Sequence, residues 1–511
     1  MNPQTTCGAD VPEAFATLMP TIAENRGMLD ALFADVDIML HREFQNAENP
    51  SLRFCVYFSD GVSDSMLIGE EVIKPLILAS NLPQAPGLYP AVRDHAALVG
   101  DMKETQDMQE IVEAITYGDT LLLVEGSDTG ILISSKNFNL RGISEPEGEK
   151  VLLGPREGFN EGIMTNLSML RRRLRTHHLK LKLDKLGRQT KTGICIAYLD
   201  NIVNPALLDE LMGRLEEIDI DGVLDSEYIA EFIAEGSALG FRTIGATERP
   251  DVIAGRLLEG RIALFVDGSP VVLTLPYLFV ENFHSSEDYY MGNLYATYAR
   301  LLRMMSFFFA ITVPAFFIVI VGYHHELLPT GLMFSFATAR QNVPLPAAIE
   351  CFLMLLLFDI LRETGIRTPG YVGQAVGFVG GIVIGQSAVE ANLVAAPMVI
   401  VVAFAGICII MVPRLTMASL VARYGTLLMA SLFGLPGFIL ALFVVTVHVL
   451  SLRSFSVPMC LTADKLGQTM GQDGIMRTPW PKMVTRLAPL SENRVRVRPK
   501  PADSDGGTED A

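Results

Sequence analysis

Tyr371-Val-Gly-Gln-Ala-Val-Gly-Phe-Val-Gly-Gly-Ile-Val-Ile-Gly-Gln-Ser-Ala-Val389 repeats glycine at Gly373, Gly377, Gly381 and Gly385, every fourth position of an apolar run. That spacing stacks the glycines on one face of a helix. In lipid, glycine lets two helix backbones approach where a side chain would hold them apart. The run lies inside a nearly continuous apolar block from Met304 to Leu452, so the chain reads as an integral membrane protein.

Within the block, Met304 to Tyr323 is long enough to span, with Arg300 and Arg303 before it as cytoplasmic anchors. A polar loop with His324, His325, Glu326 and Arg340 follows. Ala347 to Leu361 is shorter and holds Glu350 and Asp359. An acid at membrane depth costs on the order of 2.5–3.5 kcal/mol on insertion scales, so both are expected to face protein or water. Leu393 to Val412 and Leu427 to Leu452 complete the set, the last interrupted by Gly434-Leu-Pro-Gly437. Four to six crossings fit, and an even count returns the tail to the cytoplasm. Glu350, Asp359, Gln374 and Gln386 are the candidate pore or gating residues; Gly373, Gly377, Gly381 and Gly385 are the candidate packing seam. A single chain has too few helices to enclose a pore, so a pore requires several copies.

The residues before the block contain an echo. Phe54 to Phe58 followed by Ser-Asp-Gly-Val-Ser-Asp64 matches Ile194 to Tyr198 followed by Leu-Asp-Asn-Ile-Val-Asn204. Gly118 to Ser127 likewise matches Gly260 to Ser269, each with an acidic-Gly-Ser turn between two apolar runs, as in a β-hairpin. The fold class is therefore two related cytoplasmic α/β subdomains followed by a polytopic helical transmembrane domain. The boundaries drawn are a helical lead over 1–49, a first subdomain over 50–150, a connecting helix and basic strand over 151–189, a second subdomain over 190–300, the transmembrane domain over 301–455, and a tail over 456–511 that is disordered from Ser491 onward.

In the connector, Arg171, Arg172, Arg173 and Arg175 oppose an apolar helical face. They are expected to be solvated or to contact acidic parts of the assembly, with lipid headgroups the alternative. Asp60 and Asp200 follow apolar strands and read as turn-stabilising or capping residues, and Thr247-Glu-Arg-Pro-Asp251 as a helix entry.

A net charge of -17 and a pI near 5.0 argue against a nucleic-acid partner, and membrane lipids and protein partners fit better. The mean hydropathy of +0.34 suits a chain of which about a third lies in lipid. Six scattered cysteines form neither a disulfide scaffold nor a metal site, and no apolar segment near the start resembles a secretory signal. No P-loop, GxSxG or HExxH pattern occurs, so the expectation is a non-enzyme without cofactor, catalytic or metal-binding residues.

His325-Glu-Leu-Leu-Pro-Thr330, Arg340-Gln-Asn-Val-Pro-Leu-Pro346 with Glu350, Ile360 through Pro369, and Val379 through Val389 resemble the A subunit of GerA-type spore germination receptors. The resemblance extends to Gly154 through Glu161, Thr247 through Asp251 and Glu287-Asp-Tyr-Tyr290, covering about residues 50 to 485. It implies a nutrient-responsive complex in the spore inner membrane, with a transporter-like B subunit that senses the germinant and a lipoprotein C subunit. It also implies a homo-oligomer of the A subunit that forms the ion-conducting path. Gly240-Phe-Arg-Thr243 and Ser456-Val-Pro-Met-Cys460 depart from the family pattern. A non-conducting scaffold or signal-relay subunit, or an accessory protein of the stage V sporulation AF type, is the alternative.

Overall fold

The computed structural model describes residues 11–12, 15–80, 82, 91–92, 102–136, 145–146, 148–236, 239–367, 380–381, 383–460, 473–486, 490–491, 493 and 495–496. The chain divides into two compact units. One comprises Met1–Ala234, Ile244–Pro276 and Trp480–Ala511, and the other Glu235–Thr243 and Tyr277–Pro479.

The first unit contains the same sheet twice. Helix α1 (Ile22–Leu32) leads into β1 (Met39–Gln45), β2 (Arg53–Ser59), β3 (Met102–Thr105), α2 (Met108–Thr116), β4 (Thr120–Val124) and β5 (Gly130–Ile133). Then α3 (Ile163–Arg173) precedes β6 (Leu179–Leu186), β7 (Thr192–Leu199), α4 (Pro205–Glu216), α5 (Ser226–Ile233), β8 (Gly245–Thr247), α6 (Pro250–Leu258), β9 (Ile262–Val266) and β10 (Val272–Leu275). The sheet orders are β1-β2-β4-β5-β3 and β6-β7-β9-β10-β8, antiparallel throughout.

Alternation along the strands separates the cores. Cys55 and Tyr57 of β2 face a core shared with Leu179, Leu181, Cys195, Ala197 and Phe265 of the second sheet. Phe54 and Val56 face a separate core with Ile68, Val72 and Leu76. Strands buried on both faces read as continuous apolar runs, which is why β2, β4, β7 and β9 stand out in the sequence. The boundaries drawn at 50 and 190 each cut off an edge strand. β1 is mostly exposed and carries no apolar alternation, while the basic strand 179–186 is part of the second sheet rather than a connector.

Three other expectations need correction. Asp64 and Asn204, not Asp60 and Asp200, cap helices: Asp64 accepts from the Met66 and Leu67 amides, and Asn204 accepts from Ala206. Arg171 is fully buried and donates to the Thr176 and Leu179 carbonyls at 3.0 and 3.3 Å, while Arg172 and Arg173 converge on Glu157 at 2.5 and 2.7 Å. The arginine cluster therefore ties its own unit together. The stretch expected to be disordered from Ser491 begins on a packed residue, for Ser491 is buried beside fully buried Leu490 and its Oγ donates to Ile202 O at 2.6 Å, while Val495 is exposed.

The second unit is helical: α7 (Asn293–Gly322), α8 (Thr330–Arg340), α9 (Ala347–Arg367), α10 (Ala396–Ile410) and α11 (Thr416–Ser451). Among the described residues, Asn293–Gly322 and Pro413–Ser451 are the two helices long and apolar enough to cross a membrane, and Ala396–Ile410 is a shorter apolar helix. α9 runs six residues past the expected end at Leu361, reaching 21 residues, about 31 Å at 1.5 Å per residue.

α11 is not one rod. A straight 36-residue helix would be about 54 Å long. Yet Leu415, just before its start, and Val449, near its end, share one cluster with Phe283 and Phe307. The reversal is at Gly434, whose φ of 62° and ψ of -139° suit glycine alone. There the Tyr323 hydroxyl donates to Ser431 O at 2.5 Å. Residues 416–433 and 435–451 are thus two antiparallel arms, resolving the Gly434-Leu-Pro-Gly437 ambiguity in favour of a turn.

Candidate functional site

Two ion-pair clamps sit on α9. Glu350, in its first turn, is fully buried. Its Oε2 accepts from Arg340 Nη1 at 3.0 Å, and its Oε1 accepts the Ala395 amide at 2.6 Å. Arg340 ends α8 and Ala395 is the N-cap of α10. One carboxylate therefore neutralises an arginine and closes the positive end of a helix, two effects that favour its charged form.

Nine residues on, about 14 Å along the axis, Asp359 Oδ2 accepts from Arg423 Nη2 at 2.6 Å and from the Tyr424 hydroxyl at 2.7 Å. Arg362 Nη2 stands 3.9 Å from Oδ1. Arg423 is fully buried, and among the described residues its Nε and Nη1 have no hydrogen-bond partner, nor do Nε and Nη1 of Arg362. Two guanidiniums thus share one carboxylate, leaving the cluster one positive charge in excess. Within one chain both acids are held by guanidiniums as clamps, although Asp359 Oδ1 accepts no hydrogen bond among the described residues.

Gln386, by contrast, is exposed and donates to Glu390 Oε1 at 2.9 Å, one helical turn away. Gln374, Gly373 and Gly377 lie outside the described residues. A Cβ at Gly381 would meet nothing within 4 Å, and one at Gly385 would meet Val399 Cγ1 at 3.8 Å, an ordinary contact. Tight glycine contacts fall instead at Gly406 on α10, where a Cβ would run into the Phe358 ring, and at Gly437, where it would run into Met429 O. The described part of the ladder therefore makes no close approach inside this chain.

Arg300 and Arg303 are clamped as well. Asp288 accepts from Arg300 Nε at 3.0 Å and from Arg303 Nη2 at 2.9 Å, and Asp473 takes Arg300 Nη1 at 2.8 Å. Their charges are satisfied by protein rather than reserved for headgroups. Sequence reasoning missed Arg423, Tyr424 and Arg340 as partners. The available signal was a lone arginine inside the apolar run that starts at Thr416.

In the first unit, a cleft of about 440 Å³ opens around Tyr117. The Arg175 guanidinium stacks 3.5 Å from the ring centroid, Lys136 lies 3.0 Å from Asp119, and Lys103 pairs with Glu110. Its charges are matched internally. Nearby, burial and then the neighbouring His178 push the His177 imidazole down to about 4. Burial alone would raise the Asp200 carboxyl, but its 2.7 Å hydrogen bond to His178 and the charges around it hold it below its ordinary value.

The family described as Bacillus/Clostridium GerA spore germination protein matches residues 27–488. The chain belongs to the GerA spore germination family. It is 35% identical over 471 residues to the membrane protein YfkQ of Bacillus subtilis (strain 168), covering 92% of this chain and 91% of that one. It is 35% identical over 496 residues to spore germination protein KA of the same organism, covering 96% and 91%. Spore germination protein GerLA of Bacillus cereus is 33% identical over 450 residues, with 88% and 91% covered. The crystal structure of the N-terminal domain of the A subunit of the Bacillus megaterium spore germinant receptor GerK3 is 31% identical. It covers 52% of this chain and 98% of its own, at a TM-score of 0.42. Membership in the GerA family places the chain among spore germination proteins, as the resemblance implied.

Proposed function

We propose that this GerA-family chain is the A-type subunit of a germinant receptor in the spore inner membrane. It works with a transporter-like B subunit and a lipoprotein C subunit, and several copies assemble around an axis to form a nutrient-gated ion path. The observation that carries this reading is the face of residues 380–390. Gly381 and Gln386 are exposed there, and a Cβ at Gly381 would meet nothing within 4 Å among the described residues. A glycine face left open in lipid fits a subunit contact. Gly373, Gly377, Gly381 and Gly385 would then be the seam between copies, with Gln374 and Gln386 on the path.

Glu350 and Asp359 act as gating residues. Each ties α9 to other helices through charge-assisted bonds, which favour two discrete arrangements over gradual deformation. The helices α7, α9 and α10, the two arms of α11 and the run before α10 supply the crossings. The first unit includes residues from both before and after the helical block, which supports an even number of crossings. Both flanks then lie in the cytoplasm.

Gly381→Leu tests the assembly. A leucine has room in the single chain, so folding is kept, while copies that close on this face are driven apart. Loss of the detergent-solubilised oligomer and of germination-linked ion release is expected. A wild-type complex mass with wild-type ion release refutes the subunit seam.

A further inference from the structure

The two subdomains are closed by different pieces of chain. In the first, Ser63 forms an antiparallel bridge with Lys136, just after β5. Gly118 lies under this crossing at φ +100°, where a Cβ would stand 3.0 Å from Val62 O and 3.4 Å from Lys136 Cγ. Adding the repeat offset of 140 to 62 and 63 gives Ile202 and Val203, and adding 142 to 118 gives Gly260. At that equivalent place the chain after β10 has departed, since Tyr277 already belongs to the helical unit.

The C-terminal segment takes its position. Val203 forms an antiparallel bridge with Ser491. Gly260, at φ +94°, would put a Cβ 2.8 Å from both Leu490 O and Ser491 Cβ. The segment is itself a small hairpin, with Thr485 bridged to Val495 and Arg496 N donating to Val484 O at 2.8 Å. Arg486 staples it down, donating from Nε to Leu258 O at the end of α6 and from Nη1 to Val495 O, both at 2.6 Å. Arg496 adds an ion pair to Glu259 at 3.8 Å.

We infer that the segment carrying Val484, Arg486, Leu490, Ser491, Val495 and Arg496 is a releasable strap that substitutes for a sheet-side segment the duplication lost. The first subdomain cannot open at the equivalent place without unravelling its β4–β5 hairpin. The second can, because its closing segment enters from beyond the helical block and is held by side-chain and bridge contacts: the Val203–Ser491 bridge, the Ser491 hydroxyl on Ile202 O, the buried Met483 and Leu490, the Arg486 staple and the Arg496–Glu259 pair. Release uncovers a groove at Ile202, Val203 and Gly260 suited to an extended segment.

The test uses the full chain in membrane vesicles and a hydrophilic maleimide, so its outcome is independent of ion release. Ser491→Cys places a thiol where the strap is buried, and Cys195, fully buried in β7, is the internal clock for global unfolding. Modification of Ser491→Cys at least ten-fold faster than Cys195, and at least ten-fold slower than Asn493→Cys, is expected. Arg486→Ala should raise the Ser491→Cys rate several-fold with Cys195 unchanged. A rate equal to that of Cys195 means a static element, and a rate equal to that of Asn493→Cys means an unseated tail; either overturns the strap. Hydrogen exchange of the unmutated chain, comparing 484–491 with 192–199, reads the same difference without a variant.

Discussion

Replacing Arg423 by methionine should be much less harmful than replacing its partner Asp359 by leucine, although both break the same 2.6 Å bond. Breaking a buried pair by removing one member usually costs about 3–5 kcal/mol, because the other charge is left uncompensated. Here the two directions differ. Without Arg423, Asp359 keeps the Tyr424 hydroxyl at 2.7 Å and Arg362 at 3.9 Å, so the cluster goes from one excess positive charge to neutral. The lost charged hydrogen bond, about 1.5–3 kcal/mol, is offset by removing two buried guanidinium nitrogens that have no partner among the described residues, each costing about 1–3 kcal/mol. The net change for Arg423→Met should lie within about 1 kcal/mol of zero. Asp359→Leu strands two guanidiniums at once and should cost the full 3–5 kcal/mol or more. Thermal unfolding of the detergent-solubilised chain compares the two variants and the double mutant, which should recover part of the Asp359→Leu loss. If Arg423→Met lowered the midpoint as far as Asp359→Leu, the excess-charge reasoning would be wrong.

Glu350→Gln keeps an acceptor for the Ala395 amide and should cost about 1–3 kcal/mol, whereas Glu350→Ala, which strands Arg340, should cost about 3–5 kcal/mol; the same unfolding assay ranks them. Gly434→Ala should cost about 1–3 kcal/mol for the backbone alone, with crowding against Tyr323 at 3.0 Å in addition, and a midpoint equal to wild type would exclude the turn. His177 has its folded value lowered to about 4 from 6.5, so the unfolded chain binds the extra proton first. Stability is fully present above about pH 6.5 and falls by about 2–3 kcal/mol as pH drops toward 4. His177→Phe should flatten that part of the pH–stability profile, and an unchanged slope counts against the assignment.

The duplicated sheets were legible because their central strands are buried on both faces and the offsets of 140 and 142 keep the turns in phase. The edge strands were not, since β1 shows water most of its side chains and the pattern of a half-buried strand made β6 look like a connector. Within the helical unit, the need for Glu350 and Asp359 to face protein followed from solvation cost. Which base each would meet did not, because Arg423 is separated from Asp359 by 64 residues and periodicity carries no information on such pairing. The same holds for Ser491 and Ile202, 289 residues apart. The tail was read as disordered because it has few apolar residues, yet one buried leucine and a bridge suffice when the receiving groove is already built.

The unequal closure of the two subdomains has a consequence for synthesis. The first has its closing residue once position 136 has left the ribosome. The second must wait through about 215 further residues after Pro276 until Ser491 emerges, about 10–40 s at ordinary bacterial elongation rates. During that interval Ile202 and Val203 remain uncovered. A nascent chain stalled or truncated before Trp480 would therefore present both residues bare, the form most exposed to chaperones and proteases.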